Sequence, residues 1–302
     1  MRIGTSYAQQ LAINDIQDRQ SKLLETQAQL SSGRRVNTPS DDPVAAAEAE
    51  RLRSRDARLE AEKRAITHAR AALSSSESAL GDATDLMQSA RETMLAAANG
   101  TASASDRANH GEALRQIRDQ LLSVANRGDG SGGYLFGGQG SATEPIDATG
   151  TVYAPQAGTQ DIGTMMRNPV SLDGRENFTA IRTPSGTESI FARLDAAIAS
   201  LTNPATTSAT AAAEMRTAID SVDRALDRFG VTRTMVGERL RALDAHEQAV
   251  ETGSIDNQSR LSELVDVDFA KVASQMIQHQ TAYEAAMKSY AQIARMTLFD
   301  YF

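Results

Sequence analysis

Residues 43–98 read PVAAAEAERLRSRDARLEAEKRAITHARAALSSSESALGDATDLMQSARETMLAAA. Within this run Leu52, Leu59, Ile66, Leu73, Leu80, Met87 and Met94 recur every seven residues without a miss. Ala69, Ala83, Ala90 and Ala97 stand three positions further on. A sustained seven-residue period marks a helix that buries one stripe against other helices. Alanine beside four of these seven large residues makes that stripe narrow and lets neighbours approach closely. Asp42 followed by Pro43 supplies an N-cap and a first-turn residue, so the helix is expected to start there. At 1.5 Å rise per residue it would be roughly 80 Å long, which predicts a rod.

Downstream, Asn99-Gly100 and Thr101–Ser105 predict a turn, and a shorter helix is expected over about 106–126 with Leu114, Ile117, Leu121 and Val124 at heptad steps. So short a connection implies an antiparallel hairpin. Composition then changes, because 128–140 holds seven glycines. Residues 134–189 are read as a small β-rich insertion, with strands at Gly150–Tyr153 and Asn177–Ile181. Helix is expected again over 188–201 and over 211–250. In the second of these Met215, Ile219, Val222, Leu226, Phe229, Arg233, Val236, Leu240, Leu243, Glu247 and Val250 step by four and three. The polar run Glu251–Asn257, which contains Gly253, predicts a break.

The two ends of the chain match each other. Over 8–32, Ile13, Ile16, Gln20, Leu23, Gln27 and Leu30 fall at heptad steps, and Gly33 suits a left-handed helix cap. The glutamines weaken this seam and can select partner and register. From Leu261 onward, Phe269, Val272, Met276, His279, Tyr283, Ala286, Tyr290, Ile293 and Thr297 form the opposing stripe. The fold is therefore expected to be mainly α, an elongated antiparallel helical bundle or coiled coil built from the N- and C-terminal segments. Three regions follow: 1–41 with 258–302 as a terminal coiled coil, 42–133 with 190–257 as a helical rod, and 134–189 as the inserted outer domain. A single thin pair of helices buries little apolar surface for the chain entropy it must give up. Residues 1–41 and 258–302 are thus expected to be mobile in the free monomer and to order on assembly.

Several function classes are disfavoured. The 302 residues carry a net charge of -8 and a pI near 5.1, which weighs against nucleic-acid binding. The absence of cysteine excludes disulfides and thiolate metal sites. No apolar run approaches the roughly 20 residues of a membrane span, so no membrane insertion is expected. The first residues, Met1–Tyr7, lack the apolar run of a cleaved signal peptide. Gly128-Asp129-Gly130-Ser131-Gly132-Gly133 matches the three-glycine dinucleotide pattern, but it follows a helix where that pattern needs a strand before it and a helix after it. His68, His110, His246 and His279 lack metal-ligand spacing. The pairs Asp41/Asp42 and Asp266/Asp268 precede helices and read as caps. No catalytic constellation, cofactor or metal site is expected, and an enzyme is not. What remains is assembly, with Ile13, Ile16, Gln20, Leu23, Gln27, Leu30, Phe269, Val272, Met276, Tyr283, Tyr290 and Ile293 as the candidate interface.

Four separated motifs resemble one family. Leu30-Ser-Ser-Gly-Arg-Arg-Val-Asn-Thr-Pro-Ser-Asp-Asp-Pro43 is similar to the N-terminal motif of bacterial flagellins and their relatives, and its Pro-Ser-Asp-Asp-Pro form is closer to the hook-associated protein 3 branch. Val236-Gly-Glu-Arg-Leu240 resembles the motif of the returning bundle helix, and Leu261-Ser-Glu-Leu-Val-Asp-Val-Asp-Phe-Ala270 the start of the C-terminal helix. Leu298-Phe-Asp-Tyr-Phe302 resembles the ending of the junction proteins. The resemblance implies a secreted structural component of the bacterial flagellum at the hook–filament junction, exported by the flagellar type III apparatus. The partners it implies are further copies in a homo-oligomeric ring, the adjacent hook-junction protein, flagellin and a cytoplasmic export chaperone. Two rival readings are a short flagellin and a cytoplasmic coiled-coil signalling module.

Overall fold

The computed structural model describes residues 2–99, 102–139, 143–155, 161–162, 168–169, 171–184 and 186–295, with the backbone alone described at 2–6, 8, 161–162, 168–169 and 293–295. Its helices are α1 (Arg2–Ser32), α2 (Pro43–Ala97), α3 (Ala104–Ala125), α4 (Ile190–Thr202), α5 (Ser208–Val265) and α6 (Phe269–Arg295). Between α3 and α4 lie two antiparallel strand pairs, β1 (Asp161–Ile162) with β2 (Asn168–Pro169) and β3 (Ile181–Thr183) with β4 (Gly186–Glu188). The chain is mainly α with a small β insertion. It forms two compact units, Met1–Leu59 with Glu251–Phe302, and Glu60–Val250.

The helix starts follow from their caps. Asp42 Oδ1 accepts the Ala45 amide at 3.0 Å, and Pro43 takes the first turn of α2, where its missing N–H costs nothing. Ser103 and Asp106 form a reciprocal capping box, which moves the start of α3 to Ala104. Just beyond the end of α3, Arg127 pairs with Asp82 of α2 at 2.7 Å, so the two helices run antiparallel.

In the unit Glu60–Val250 the heptad row is fully enclosed. Ile66, Leu73, Leu80, Met87 and Met94 of α2 are inaccessible, as are Leu114 and Leu121 of α3 and Met215, Val222, Phe229 and Val236 of α5. Burial of this kind supplies about 1.5–3 kcal/mol per large side chain, an upper estimate that chain entropy opposes. The antiparallel register of α2 and α5 is marked by Arg70 with Asp244 and Glu247, Glu77 with Arg233, and Arg91 with Asp223. These pairs are part-exposed, and such pairs contribute about 0–1 kcal/mol each, so they favour a register while the apolar core stabilises it. Arg233 therefore lies outside the stripe to which its spacing assigned it. Thr232 is buried in its place, donating from Oγ1 to Asn177 Oδ1 at 2.7 Å.

The break expected at Glu251–Asn257 is absent, for α5 runs unbroken to Val265. A helical Gly253 costs about 1 kcal/mol relative to alanine. Contacts with α2 in the same unit outweigh that cost: buried Asn257 donates from Nδ2 to the Leu52 carbonyl at 2.8 Å, and Ser254 Oγ reaches Asp56 at 3.3 Å. The real interruption is Asp266–Asp268, between α5 and α6.

The insertion also departs from its reading. Asn177 to Thr179 belong to a π-helical turn, Arg175–Thr179, and the strand begins only at Ile181. Asn177 and Phe178 are consecutive and both buried, whereas a strand would send them to opposite faces. Gly150–Tyr153 contributes a single bridge, Tyr153 to Ile146. Although the chain is poor in aromatics, four phenylalanines gather here. Phe178 meets Phe136 edge-on at 5.1 Å, Phe229 of α5 at 5.4 Å and Phe191 of α4 at 6.2 Å. Gly150, at φ +72°, passes so close that a Cβ would lie 2.2 Å from that of Phe191. Tyr153 donates its hydroxyl to the Phe136 carbonyl at 2.8 Å; burial, and then the Asp173 charge, push its phenol up to about 12.

Phe178→Ala should therefore destabilise this unit by about 3–5 kcal/mol in urea denaturation followed by circular dichroism. A loss below about 1 kcal/mol would show that the cluster does not anchor the insertion.

Candidate assembly interface

The unit Met1–Leu59 with Glu251–Phe302 is built around two connectors. After α1, Gly33 takes φ +69° and its amide closes the helix on the Gln29 carbonyl at 2.9 Å, the left-handed cap its sequence suggests. The chain then pairs with the elbow between α5 and α6. Arg35 N donates to the Val265 carbonyl at 2.7 Å, Val267 N donates to the Gly33 carbonyl at 3.1 Å, and Arg34 and Asp266 form the bridge. Arg35 adds its guanidinium, giving Nη2 to the Leu264 carbonyl at 2.6 Å and Nη1 to Asp42 at 3.1 Å. Val36, Val265 and Val267 are buried at this clasp.

The aspartates divide their work. Asp42 caps α2, and Asp268 caps α6 by accepting the Lys271 amide at 3.1 Å. Asp41 caps no helix; it closes the Asn37–Asp41 turn by accepting the amides of Asn37 and Thr38 at 2.9 and 2.8 Å. Asp266 sits in the bridge and accepts the Ser262 hydroxyl at 2.5 Å. Hydrogen bonds to Thr38 and Asn37 hold the Asp41 carboxyl below its ordinary range, and for Asp42 the Ala45 amide does so first, with Arg35 second.

From the clasp α1 and α6 run side by side in antiparallel sense. Phe269 overlies Gly33, and a shallow cavity further along is lined by Ala12, Ile16 and Arg19 of α1 with Ala282, Ala286 and Tyr290 of α6. Ile13, Ile16, Leu23 and Leu30 are half-buried, while Gln20 and Gln27 are exposed. The second row of α1 instead passes through Arg19 and Thr26, one residue earlier. Thr26 is buried, with its hydroxyl bonded to the Lys22 and Leu23 carbonyls. A β-branched polar residue in mid-helix gave no signal for this in the sequence. On α6, Val272 is buried, Met276, His279, Tyr283 and Tyr290 are half-buried, and Phe269 is 59% exposed. The side chain of Ile293, with Thr297 and the ending Leu298–Phe302, lies outside the described residues. Leu11 and Leu24 of α1 and Ile277 of α6 also remain more than half exposed, so the pair leaves apolar surface uncovered.

Other candidates take structural roles. Asp129 accepts the Ser131 and Gly133 amides at 2.8 and 2.9 Å, so the glycine run is a closed turn after α3 with no helix start to hold a pyrophosphate. Among the described residues no three His, Asp or Glu side chains gather as a metal site. No described helix is long and apolar enough to cross a membrane.

Comparison with known proteins follows the same outline. The family model for the bacterial flagellin N-terminal helical region matches residues 3–141. The flagellar hook-associated protein 3 of Salmonella typhimurium is 32% identical over 314 residues, covering 99% of each chain. The chain belongs to the flagellar hook-associated protein 3 family. A solved hook-associated protein 3 structure from Legionella pneumophila is 18% identical, covers 71% of this chain and 98% of its own, and has a TM-score of 0.64, which shows the shared fold. By contrast, polar flagellin F of Vibrio parahaemolyticus is 26% identical over only 45% of this chain and 36% of its own length. Within this hook-associated protein 3 family member, the clasp joins two of the quoted motifs, the Gly33–Pro43 connector and the Leu264–Asp268 elbow.

The sign of the Asp42 shift gives a test. Its carboxylate is favoured in the folded chain, so the stabilisation is fully present above the ordinary value of 3.8 and is lost as pH falls through the lower folded value. In an NMR pH titration the Ala45 amide should move with a midpoint below 3.8. A midpoint at or above it would contradict the cap.

Proposed function

We propose that this chain is a structural adapter at the junction of the flagellar hook and filament. The observation that carries the reading is the end-to-end match to hook-associated protein 3, against a partial match to flagellin. The surface of the terminal helices supports it, since α1 and α6 offer apolar helix-pairing positions that the single chain leaves partly uncovered. In this reading α1 and α6 pack against neighbouring copies as a coiled coil. The apolar side chains they leave exposed, with the seam residues Ile13, Ile16, Leu23, Leu30, Val272, Met276, Tyr283 and Tyr290, supply the contact. Gln20 and Gln27, exposed in the single chain, select register between copies.

The free monomer holds α1 and α6 loosely, and assembly orders them. The copies close into a ring between the adjacent hook-junction protein and flagellin. The chain travels out through the flagellar type III apparatus, with a cytoplasmic export chaperone as a further partner. The division into terminal coiled coil (1–41, 258–302), helical rod (42–133, 190–257) and inserted domain (134–189) is the functional counterpart of this arrangement.

Charge placed at Met276 or Tyr290, as in Met276→Glu, should abolish junction formation in motile cells while leaving the helical content of the purified chain almost unchanged. Normal filaments from such a variant would sink the assembly reading. Growth of long filaments from the purified protein alone would instead favour a short flagellin.

A further inference from the structure

The unit Glu60–Val250 contains a groove to which assembly through the terminal helices assigns no task. One face of α5, carrying Arg224, Asp227, Arg228 and Val231 at helical spacing, stands opposite the π-helical turn and the β3–β4 hairpin. Arg175 and Glu176 come from the turn, and Arg182 comes from β3, where it pairs across the hairpin with Thr187. These residues line a half-open cavity of about 520 Å³, within the size range of small-molecule sites. A second compartment of about 230 Å³ shares Glu176 and Arg228 with the first and extends along α5 to Arg239.

The charge here runs against the chain's balance. The larger cavity is lined by four arginines and two carboxylates, on a protein whose net charge is -8. One arginine is accounted for, since Arg228 pairs with Glu176. Glu188, whose charge Arg224 faces, is already held by Arg193 at 2.6 Å and by the Ser221 hydroxyl. Among the described residues neither Arg175 nor Arg182 has an ion pair. Two buried guanidinium nitrogens also lack an acceptor, Arg228 Nε where the two compartments meet and Arg239 Nη1 in the smaller one. A buried donor without a partner is unfavourable, so surplus positive charge and unmatched donors both favour an incoming acceptor.

We infer that this groove is a binding site for a multiply charged oxyanion, a small molecule carrying two or more phosphate or carboxylate groups. Guanidinium groups on two facing elements suit such a ligand, because each planar fork can engage one oxyanion group. The apolar Val231 and the aliphatic stems of the arginines would cover its carbon skeleton.

The test is calorimetric titration of the full chain at low salt with pyrophosphate and, separately, with citrate, which distinguishes the phosphate from the carboxylate source. Saturable binding of either probe at one site per chain is expected, weakening as sodium chloride is raised. The double variant Arg182→Gln with Arg224→Gln should lower affinity by about tenfold or more, with an unchanged circular dichroism spectrum because neither residue takes part in an ion pair. Arg241→Gln, on the exposed face of α5, should bind like the parent chain. Absence of saturable binding for both probes would overturn the assignment. So would undiminished binding by the double variant, or an equal loss in Arg241→Gln.

Discussion

Two backbone hydrogen bonds, Arg35 N to the Val265 carbonyl and Val267 N to the Gly33 carbonyl, hold together the place where α1 ends and the place where α6 begins. Neither α1 nor α6 is packed on a large core of its own. Each is rooted at this clasp, and the geometry there decides which of their faces meet. Gly33 makes it possible, because only a left-handed residue turns the chain sharply enough off α1 to lie against the α5–α6 elbow. Arg35 reinforces it from the side chain, linking the elbow to the Asp42 cap of α2. One short connector thereby ends one helix, starts the next and positions the last.

Periodic features were the legible ones. The seven-residue row from Leu52 to Met94 translated directly into buried positions, because burial on a long helix is dictated by spacing. Cap chemistry was legible at Asp42-Pro43 and Gly33 for the same local reason. Features that depend on partners distant in sequence were not. Gly253 looked like a break until Leu52 and Asp56 offered acceptors to the same stretch of α5. Arg233 fitted the apolar stripe by spacing, yet a carboxylate at Glu77 and an acceptor at Asn177 rotate the choice to Thr232.

The candidate interface shows the same division. The candidate α6 stripe could be read directly, and its described members lie where the helix turns toward α1, with Phe269 at the exposed edge over Gly33. On α1 the row of Ile13, Gln20 and Gln27 was the obvious heptad, but the antiparallel partner is met one residue earlier, through Arg19 and Thr26. Apolar periodicity cannot distinguish the two rows when one contains Ile, Gln and Gln and the other Arg and Thr. The insertion was legible in extent, not in conformation. Its centre, Phe178, is decided by rings from α4 and α5 that no local pattern reveals.

The central claim is that α1 and α6 are completed by neighbouring copies and are weakly held beyond the clasp in a lone chain. Amide hydrogen exchange, compared between dilute monomer and isolated flagella, addresses it most directly. The account predicts little protection along α1 and α6 in the monomer, firm protection in the buried stretches of α2 and α5, and marked protection of α1 and α6 after assembly. Strong protection of both terminal helices in the dilute monomer would contradict it.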